Sequence, residues 1–299
     1  MRIVYLGSGT FGLPTLEQLA KSHEVVGIVT AQDKTAGRDR KPTPTPIGSW
    51  ASDKGFPLLK TDNVNDPDIE TQIVDMKSDA MVVIAFGQKL SQTLISKQRT
   101  MNLHASLLPR WRGAAPINAA IMHGDDCSGV SVITLAEKMD AGLILGQTST
   151  EIGNNETAGE LHDRLSELGS KLILDVLESD NEGVVQDESL VTFAPKLSRH
   201  DALLDLTQDA EAIASSIRGL SPWPCCHLII SGVDCKILNA IAKNSEGSTG
   251  EVLEDGTIAV GKGSIEILEL KPAGSKAMSW KEFCNGRAIS VGDKCVVQP

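Results

Sequence analysis

Short apolar runs alternate with amphipathic helical segments over residues 1–180, and this alternation constrains the fold more than any other feature. Residues 13–21, for example, place Leu16, Leu19 and Ala20 on one face of a helix. Alternating strands and helices build an α/β domain with a mainly parallel sheet, and sites in such sheets collect at the carboxyl ends of strands. The predicted strands are residues 3–6, 25–29, 81–86, 101–104 and 130–134.

A different pattern begins near residue 205, after a leucine-rich helix predicted at 157–177 and a connector over 181–204. A short helix is predicted at 209–218, and turn pairs such as Ser231-Gly232 then separate short apolar runs. Many short strands with tight turns indicate a small β-barrel or an open sandwich. The sequence therefore predicts two domains, 1–180 and 205–299. The strands predicted for the second are 227–230, 233–238, 257–260, 264–270 and 294–297.

The composition argues against several classes of protein. Hydrophobic residues make up 41% of the 299 residues and aromatic residues only 3%, so we expect a sizeable, mostly aliphatic core. The chain has no apolar run of the ~18 residues that suggest a membrane span. The six cysteines lack the spacing of metal ligands, so we expect reduced thiols in a cytoplasmic protein without a metal site.

The net charge of −11 argues against general affinity for nucleic acid, because phosphate contacts need lysine and arginine. Basic residues nevertheless concentrate at 33–41 and 271–294, and alternate prolines predict a stiff exposed loop at 41–48. Two interpretations stay open: an ordinary solvated surface, which charge alone favours, and a guide for one defined polyanion.

The run Gly7-Ser8-Gly9-Thr10-Phe11-Gly12 follows a strand and precedes a helix, as the dinucleotide-binding fingerprint requires. That fingerprint also needs an acid at the end of the second strand, where this chain has Thr30-Ala31-Gln32. A nicotinamide-dependent oxidoreductase is one hypothesis. The alternatives are a turn that faces another anion, or glycines that permit tight packing.

Asn102 and His104 lie two residues apart in a predicted strand, so both side chains project from the same face. Pro109 and Gly113 then turn the chain into a loop. A hydrogen-bond donor beside a titratable base at a strand end can stabilise an oxyanion and move a proton. A lone histidine is more often a buried core residue, so its neighbours have to decide between the two interpretations.

Asp140 follows the predicted strand 130–134, so we expect it at the same carboxyl edge of the sheet as His104. A carboxylate beside an imidazole fixes the tautomer and favours the protonated form, which suits a general acid and base. Glu137 is a competing acid that lies nearer the strand and lacks an adjoining glycine turn. The alternative for Asp140 is a solvated loop residue.

The stretch from Asn102 through Gly113 to Ile117 resembles the signature of the 10-formyltetrahydrofolate-dependent formyltransferases. Its longer form, with Arg110-Trp111-Arg112, is similar to the members that act on methionyl-tRNA, and further similar stretches run nearly end to end. The resemblance implies a Rossmann-like catalytic domain followed by an OB-like β-barrel. It also implies 10-formyltetrahydrofolate as the formyl donor and initiator methionyl-tRNA as the acceptor.

The resemblance further implies roles for single residues. Asn102, His104 and Asp140 are expected to be catalytic, with two donors on the oxyanion and Asp140 holding His104. The residues expected at the folate are Ser106, Leu107, Leu108, Pro109, Gly87 and Phe86, the last standing where many relatives have tyrosine. The residues expected at the tRNA are Lys34, Arg38, Arg40, Lys41, Lys271, Lys276 and Arg287. A monomer is expected.

The catalytic core by itself leaves a related alternative open, a formyltransferase that acts on a sugar amine. Arg110-Trp111-Arg112 and the predicted barrel weigh against it.

Overall fold

The computed structural model describes residues 1–36 and 41–297, which form two compact units. The first unit comprises Met1–Arg112, Gly129–Ser149 and His162–Thr192. The second comprises Gly113–Ser128, Thr150–Leu161 and Phe193–Pro299. Among the described helices, none combines the length and apolar character needed to cross a bilayer.

The secondary structure alternates over the first part of the chain and is mostly strand in the last part. The helices are α1 (Leu13–Ser22), α2 (Pro46–Lys54), α3 (Pro67–Asp75), α4 (Gln92–Lys97), α5 (Pro116–Met122), α6 (Ala158–Glu178), α7 (Ala210–Gly219) and α8 (Trp280–Arg287). The strands are β1 (Arg2–Gly7), β2 (Glu24–Thr30), β3 (Lys34–Ala36), β4 (Lys41–Thr43), β5 (Leu58–Lys60), β6 (Ala80–Ile84), β7 (Arg99–His104), β8 (Arg112–Gly113), β9 (Cys127–Thr134), β10 (Ile144–Glu151), β11 (Phe193–Ala194), β12 (Cys226–Ile230), β13 (Val233–Lys243), β14 (Ile258–Ala259), β15 (Ser264–Pro272), β16 (Met278–Ser279) and β17 (Cys295–Val297).

A seven-stranded sheet forms the centre of the first unit, in the order β10-β9-β7-β6-β1-β2-β5. Along the stretch β7-β6-β1-β2-β5 of this order, each strand pairs in parallel with the next. Their apolar sequences follow from this arrangement, because a parallel sheet is normally covered on both faces; every position of β6 is buried. The predicted α/β domain with a mainly parallel sheet is confirmed, although β6 stops at Ile84 because Ala85 takes a left-handed backbone (φ +47°).

Strand β9 departs from the parallel order, since it pairs antiparallel with β7. Thr134 at its end lies opposite Met101, whereas His104 lies opposite Ser131. The carboxyl end of β9 is therefore at the amino end of β7. The reason given above for placing Asp140 beside His104 is wrong, and only a loop that turns back along the sheet can bring the two together.

The glycine-rich turn after β1 is shaped by a buried tyrosine. Tyr5 is fully buried, and its hydroxyl donates a hydrogen bond of 3.2 Å to the carbonyl oxygen of Gly12. A Cβ atom on Gly12 would overlap this hydroxyl, and one on Gly7 would lie 2.7 Å from the carbonyl oxygen of Ile84. Packing therefore accounts for these glycines, and the oxidoreductase hypothesis loses the motif on which it rested.

The proline-rich segment is more regular than the exposed loop predicted for it. Strand β4 pairs with β3 as a short antiparallel hairpin, in which Lys34 lies opposite Thr43. Pro46 then occupies the first turn of α2, where its missing N–H leaves no bond unmade. Thr45 caps this helix by accepting a 2.9 Å hydrogen bond from the backbone N–H of Gly48.

The second unit contains an antiparallel sheet in the order β14-β15-β13-β12-β17, with β16 paired to β15. The gap between the edge strands is bridged at Gly250, whose N–H donates to the carbonyl of Ala259 (2.8 Å) and whose carbonyl accepts from Cys295 (2.7 Å). The sheet is therefore nearly closed, as expected for an OB-like barrel. Ser231 and Gly232 both have positive φ, as a tight hairpin turn requires.

The packing around Tyr5 predicts the effect of a methyl group on Gly12. Gly12→Ala should lower the free energy of unfolding by about 1–3 kcal/mol, because the new Cβ overlaps the tyrosine hydroxyl. Tyr5→Phe removes that hydroxyl, so the alanine should cost much less in the Tyr5→Phe background. Urea denaturation of the four proteins of this cycle measures the coupling, and equal costs in both backgrounds would contradict the packing explanation.

Candidate active site

His104, the last residue of β7, is buried and held from both sides of its ring. Its Nε2 lies 2.8 Å from the carbonyl oxygen of Trp111, seven residues further along the chain. A carbonyl oxygen can only accept, so Nε2 must carry the proton of this bond. The tautomer of the neutral ring is therefore fixed, and Nδ1 is left with a free lone pair.

Asp140 faces that second ring nitrogen. Its Oδ2 lies 3.6 Å from His104 Nδ1, and both side chains are largely shielded from solvent, with exposures of 15% and 7%. The structure thus brings Asp140 and His104 together, as predicted, through the loop after β9 rather than through a shared strand edge. The competing acid Glu137 is exposed.

Asn102 completes the group on β7. It lies two positions before His104 in the strand, so its side chain projects from the same face. The side-chain amide of Asn102 makes no hydrogen bond to any of the described residues, 1–36 and 41–297. The side chain is half-buried, so the amide is accessible and free to bind a ligand.

Left-handed backbone conformations concentrate around these residues. Ala85, Trp111 and Asp140 have φ values of +47°, +62° and +53°, a region that side chains other than glycine seldom occupy. Each such residue costs of order 1–3 kcal/mol and persists only where its surroundings hold it, as often happens at functional sites. Here Trp111 and Asp140 supply the two partners of His104.

The loop expected at the folate, Ser106 to Pro109, is fixed by side chains from β9 and β10. Ser131 donates to the carbonyl oxygen of Ser106 (2.6 Å) and accepts from the backbone N–H of Leu108 (3.0 Å). Gln147 donates to both the Leu108 carbonyl (2.9 Å) and Ser131 Oγ (2.8 Å). These bonds hold the loop in place.

Few of the predicted folate residues offer an open side chain. Ser106 and Leu108 are buried, and Phe86 is 5% exposed and packs in the same hydrophobic cluster as Val4 and Leu6. Leu107 and Pro109 are half-buried, and Gly87, with open space around it, has a φ of +77°. The accessible positions of this set are therefore Leu107, Pro109 and the backbone at Gly87.

The predicted tRNA residues are exposed wherever the structure describes them. Lys34 and Lys41 lie on the β3–β4 hairpin of the first unit, whereas Arg38 and Arg40 lie outside the described residues. Lys271, Lys276 and Arg287 are exposed in the second unit. Lys271 lies directly opposite Lys236 in the pairing of β13 with β15.

Two residues of this site were not predicted. Arg112 belongs to the motif that carries the family resemblance, but the sequence did not predict that its side chain is only 4% exposed and forms a 2.8 Å ion pair with Glu188. Gln186 lies next to it, in a segment whose sequence carries no recognisable motif. An arginine at the end of the motif Arg110-Trp111-Arg112 gives no local sign that it is buried.

Comparisons with known proteins identify the family of this chain. The family model described as formyl transferase matches residues 1–177, and the model of its C-terminal domain matches residues 196–288. Methionyl-tRNA formyltransferase of Methylococcus capsulatus is 36% identical over 302 residues, covering 97% of this chain and 98% of that protein. The chain belongs to the formyltransferase family.

Solved structures share the fold at lower identity. WlaRD, a sugar 3N-formyl transferase, superposes with a TM-score of 0.66 at 16% identity, over 92% of this chain and 99% of that chain. HypX of Aquifex aeolicus, solved in complex with tetrahydrofolic acid, gives 0.64 at 17% identity over 97% of this chain. This chain spans about half of HypX (48%), so only the shared fold is compared.

The hydrogen bond to Trp111 predicts the protonation state of His104. In the protein labelled with 15N-histidine, neutral His104 should show a protonated Nε2 and an unprotonated Nδ1, because only Nε2 faces a carbonyl oxygen. Loss of the signal in His104→Gln assigns it among the six histidines. A neutral ring with its proton on Nδ1 would contradict this arrangement.

Proposed function

We propose that the chain transfers the formyl group of 10-formyltetrahydrofolate to the α-amine of initiator methionyl-tRNA. Support comes from the full-length similarity to proteins named methionyl-tRNA formyltransferase and from the tetrahydrofolic acid in the HypX complex. The observation that carries the chemistry is the environment of His104, with its proton fixed on Nε2 and its Nδ1 facing Asp140. A sugar amine as acceptor has weaker support, because WlaRD is only 16% identical.

The pair of His104 and Asp140 is suited to take up one proton. With the ring neutral and the carboxylate ionised, Nδ1 and Oδ2 are both acceptors and face each other at 3.6 Å. A proton added between them converts an unfavourable contact into an ion pair with a charged donor. Shielding from solvent strengthens that interaction, because few water dipoles screen it.

Asn102 and the protonated ring are suited to stabilise an oxyanion. The Asn102 amide is accessible on the same strand face, so it can donate to the oxyanion. Both N–H groups of the protonated ring are directed at the Trp111 carbonyl and at Asp140, so the ring contributes its positive charge rather than a second donor. Donors aimed at a developing oxyanion are worth ~3–4 kcal/mol each in comparable sites.

The proposed reaction follows from these groups. The neutral α-amine attacks the formyl carbon, forming a C–N bond and a tetrahedral centre whose oxyanion accepts from Asn102. The attacking nitrogen gives a proton to the pair of His104 and Asp140. The bond from the formyl carbon to N10 then breaks, N10 receives the proton, and tetrahydrofolate leaves. Leu107, Pro109 and the backbone at Gly87 are the positions available to hold the folate.

The second unit is proposed to hold the tRNA. Like charges directly opposite each other destabilise a sheet, and Lys236 and Lys271 form such a pair with no ion pair to any described residue. A polyanion on this surface would relieve the repulsion. The hairpin lysines, together with Arg38 and Arg40, are proposed to contact the acceptor end.

We further propose that the chain is selective for initiator tRNA and that it is a monomer. We also propose that its first domain ends at residue 180 and its second begins at residue 205.

The catalytic assignment predicts large losses of rate on a folded protein. Asn102→Ala should lower kcat about 10²–10³-fold, as expected for a lost oxyanion donor. His104→Ala and Asp140→Asn should each lower it about 10²–10⁴-fold, as expected for lost proton transfer. Formylation of methionyl-tRNA is followed by mass spectrometry, with circular dichroism to confirm folding.

Glu137→Gln is the matched control for Asp140→Asn, because Glu137 is an exposed acid of the same loop. It should retain the wild-type rate. Rates near wild type for all three catalytic variants would refute the assignment.

The tRNA assignment predicts a selective loss. Arg38→Ala and Lys271→Ala should raise the KM for methionyl-tRNA and leave the KM for the formyl donor unchanged. Each should also reduce the dependence of log KM on log salt by roughly 0.7–0.9, the contribution of one phosphate contact. Lys97→Ala, an exposed lysine just before the amino end of β7, is the control. Equal losses for both substrates would contradict the assignment.

A further inference from the structure

Gln186 is almost completely buried and bonds through both atoms of its amide. Its Nε2 donates to the carbonyl oxygens of Asp140 and Gly142, both at 2.8 Å. Its Oε1 accepts from Nε (3.0 Å) and Nη2 (2.8 Å) of Arg112. The orientation of the amide is unambiguous, because a guanidinium only donates and a carbonyl only accepts.

The two bonds from Nε2 act where the loop after β9 is strained. Asp140 has a φ of +53°, and its own carbonyl is one of the two acceptors. The base of the loop is closed independently, since the N–H of Thr134 donates to the Leu143 carbonyl (2.9 Å) and the N–H of Leu143 donates to Thr134 Oγ1 (2.9 Å). Gln186 is therefore not needed to close the loop, and its bonds fix the orientation of Asp140 itself.

Arg112 connects this clamp to the other partner of His104. It follows Trp111 directly, and the Trp111 carbonyl accepts the proton of His104 Nε2. The Arg112 guanidinium is buried and is also bonded to Glu188, with Nη2 to Oε1 at 2.8 Å. The hydrogen bond from Arg112 lowers the pKa of the Glu188 carboxyl, which keeps this ion pair charged. One chain of contacts thus runs from Trp111 through Arg112 and Gln186 to Asp140.

We propose that Gln186 is a positioning residue for the formyl transfer, which sets the Asp140 carboxylate against His104 Nδ1, and that Arg112 fixes the Gln186 amide. This inference rests on the proposed roles of His104 and Asp140. Gln186 does not touch the reacting atoms. It acts by holding the left-handed backbone of Asp140, so that the pair is ready to take up a proton without reorganising.

Two variants separate the parts of the clamp. Gln186→Glu keeps an acceptor for Arg112 but replaces the N–H donors with an oxygen that repels the carbonyls of Asp140 and Gly142. Gln186→Met removes both functions. Both should lower kcat about 10–100-fold, the effect of displacing a catalytic group by a fraction of an ångström to 1 Å, and leave both KM values near wild type.

Gln98→Met is the matched control. Gln98 is half-buried, accepts a 2.6 Å hydrogen bond from Ser78 and lies just before the amino end of β7, far from His104. It should keep the wild-type kcat.

A double-mutant cycle with Asp140→Asn distinguishes positioning from a general structural effect. If Gln186 acts through Asp140, Gln186→Glu should cause little further loss of kcat in the Asp140→Asn protein. The 15N signal of His104 Nδ1 should also shift in folded Gln186→Glu, and this readout does not depend on activity.

Three results would overturn the proposal: a wild-type kcat in both variants, a loss that only follows the folded fraction measured by circular dichroism, or full additivity with Asp140→Asn. An active Asp140→Asn protein would instead refute the role of Asp140 in the proposed function. In that case the His104 signal in Gln186→Glu still decides whether Gln186 positions the pair.

Discussion

The hydrogen bond from His104 Nε2 to the carbonyl oxygen of Trp111 is the interaction on which the site depends. It fixes the single N–H proton of the neutral ring on Nε2, away from Asp140, so Nδ1 can accept a proton. The bond requires the chain to turn back on itself within seven residues of the strand end. Trp111 achieves this with a left-handed backbone, and its N–H donates to Thr192 Oγ1 (2.9 Å). The strained backbone of Trp111 is thus held by hydrogen bonds at both its N–H and its carbonyl oxygen.

Neighbouring strands and hydrogen-bonding side chains of the first unit hold this arrangement in place. Strand β7 lies inside the sheet between parallel β6 and antiparallel β9, which holds Asn102 and His104 rigidly at their positions. Ser131 on β9 and Gln147 on β10 fix the loop beside them. Asn102 and Asp140, which would meet a substrate, are half-buried. Ser131, Gln186 and Arg112, which hold the neighbouring loops, are buried and hydrogen-bonded. This division matches what a preorganised site needs, because fixed dipoles do not have to reorient during the reaction.

Much of this protein could be predicted because the signals are local. Strands β1, β2, β6 and β7 of the parallel sheet, the long helix α6 and the placement of Asn102 and His104 on one face follow from periodicity alone, whereas the short edge strand β5 was missed. The antiparallel course of β9 could not be predicted, since an apolar strand has the same sequence pattern in either direction. The burial of Arg112 was missed for a similar reason, because its partners Gln186 and Glu188 are more than seventy residues away.

The sequence by itself determined the fold class, the two-domain organisation and the residue types available for proton transfer. These depend on side-chain period, on glycine where Tyr5 leaves no room for a Cβ, and on turn residues, all of which act over a few positions. Only the tertiary structure decided which acid meets His104, which ring nitrogen carries the proton, and what holds Asp140 in place. Those outcomes depend on hydrogen bonds between distant segments, and such bonds are formed only when the sheet brings the segments together.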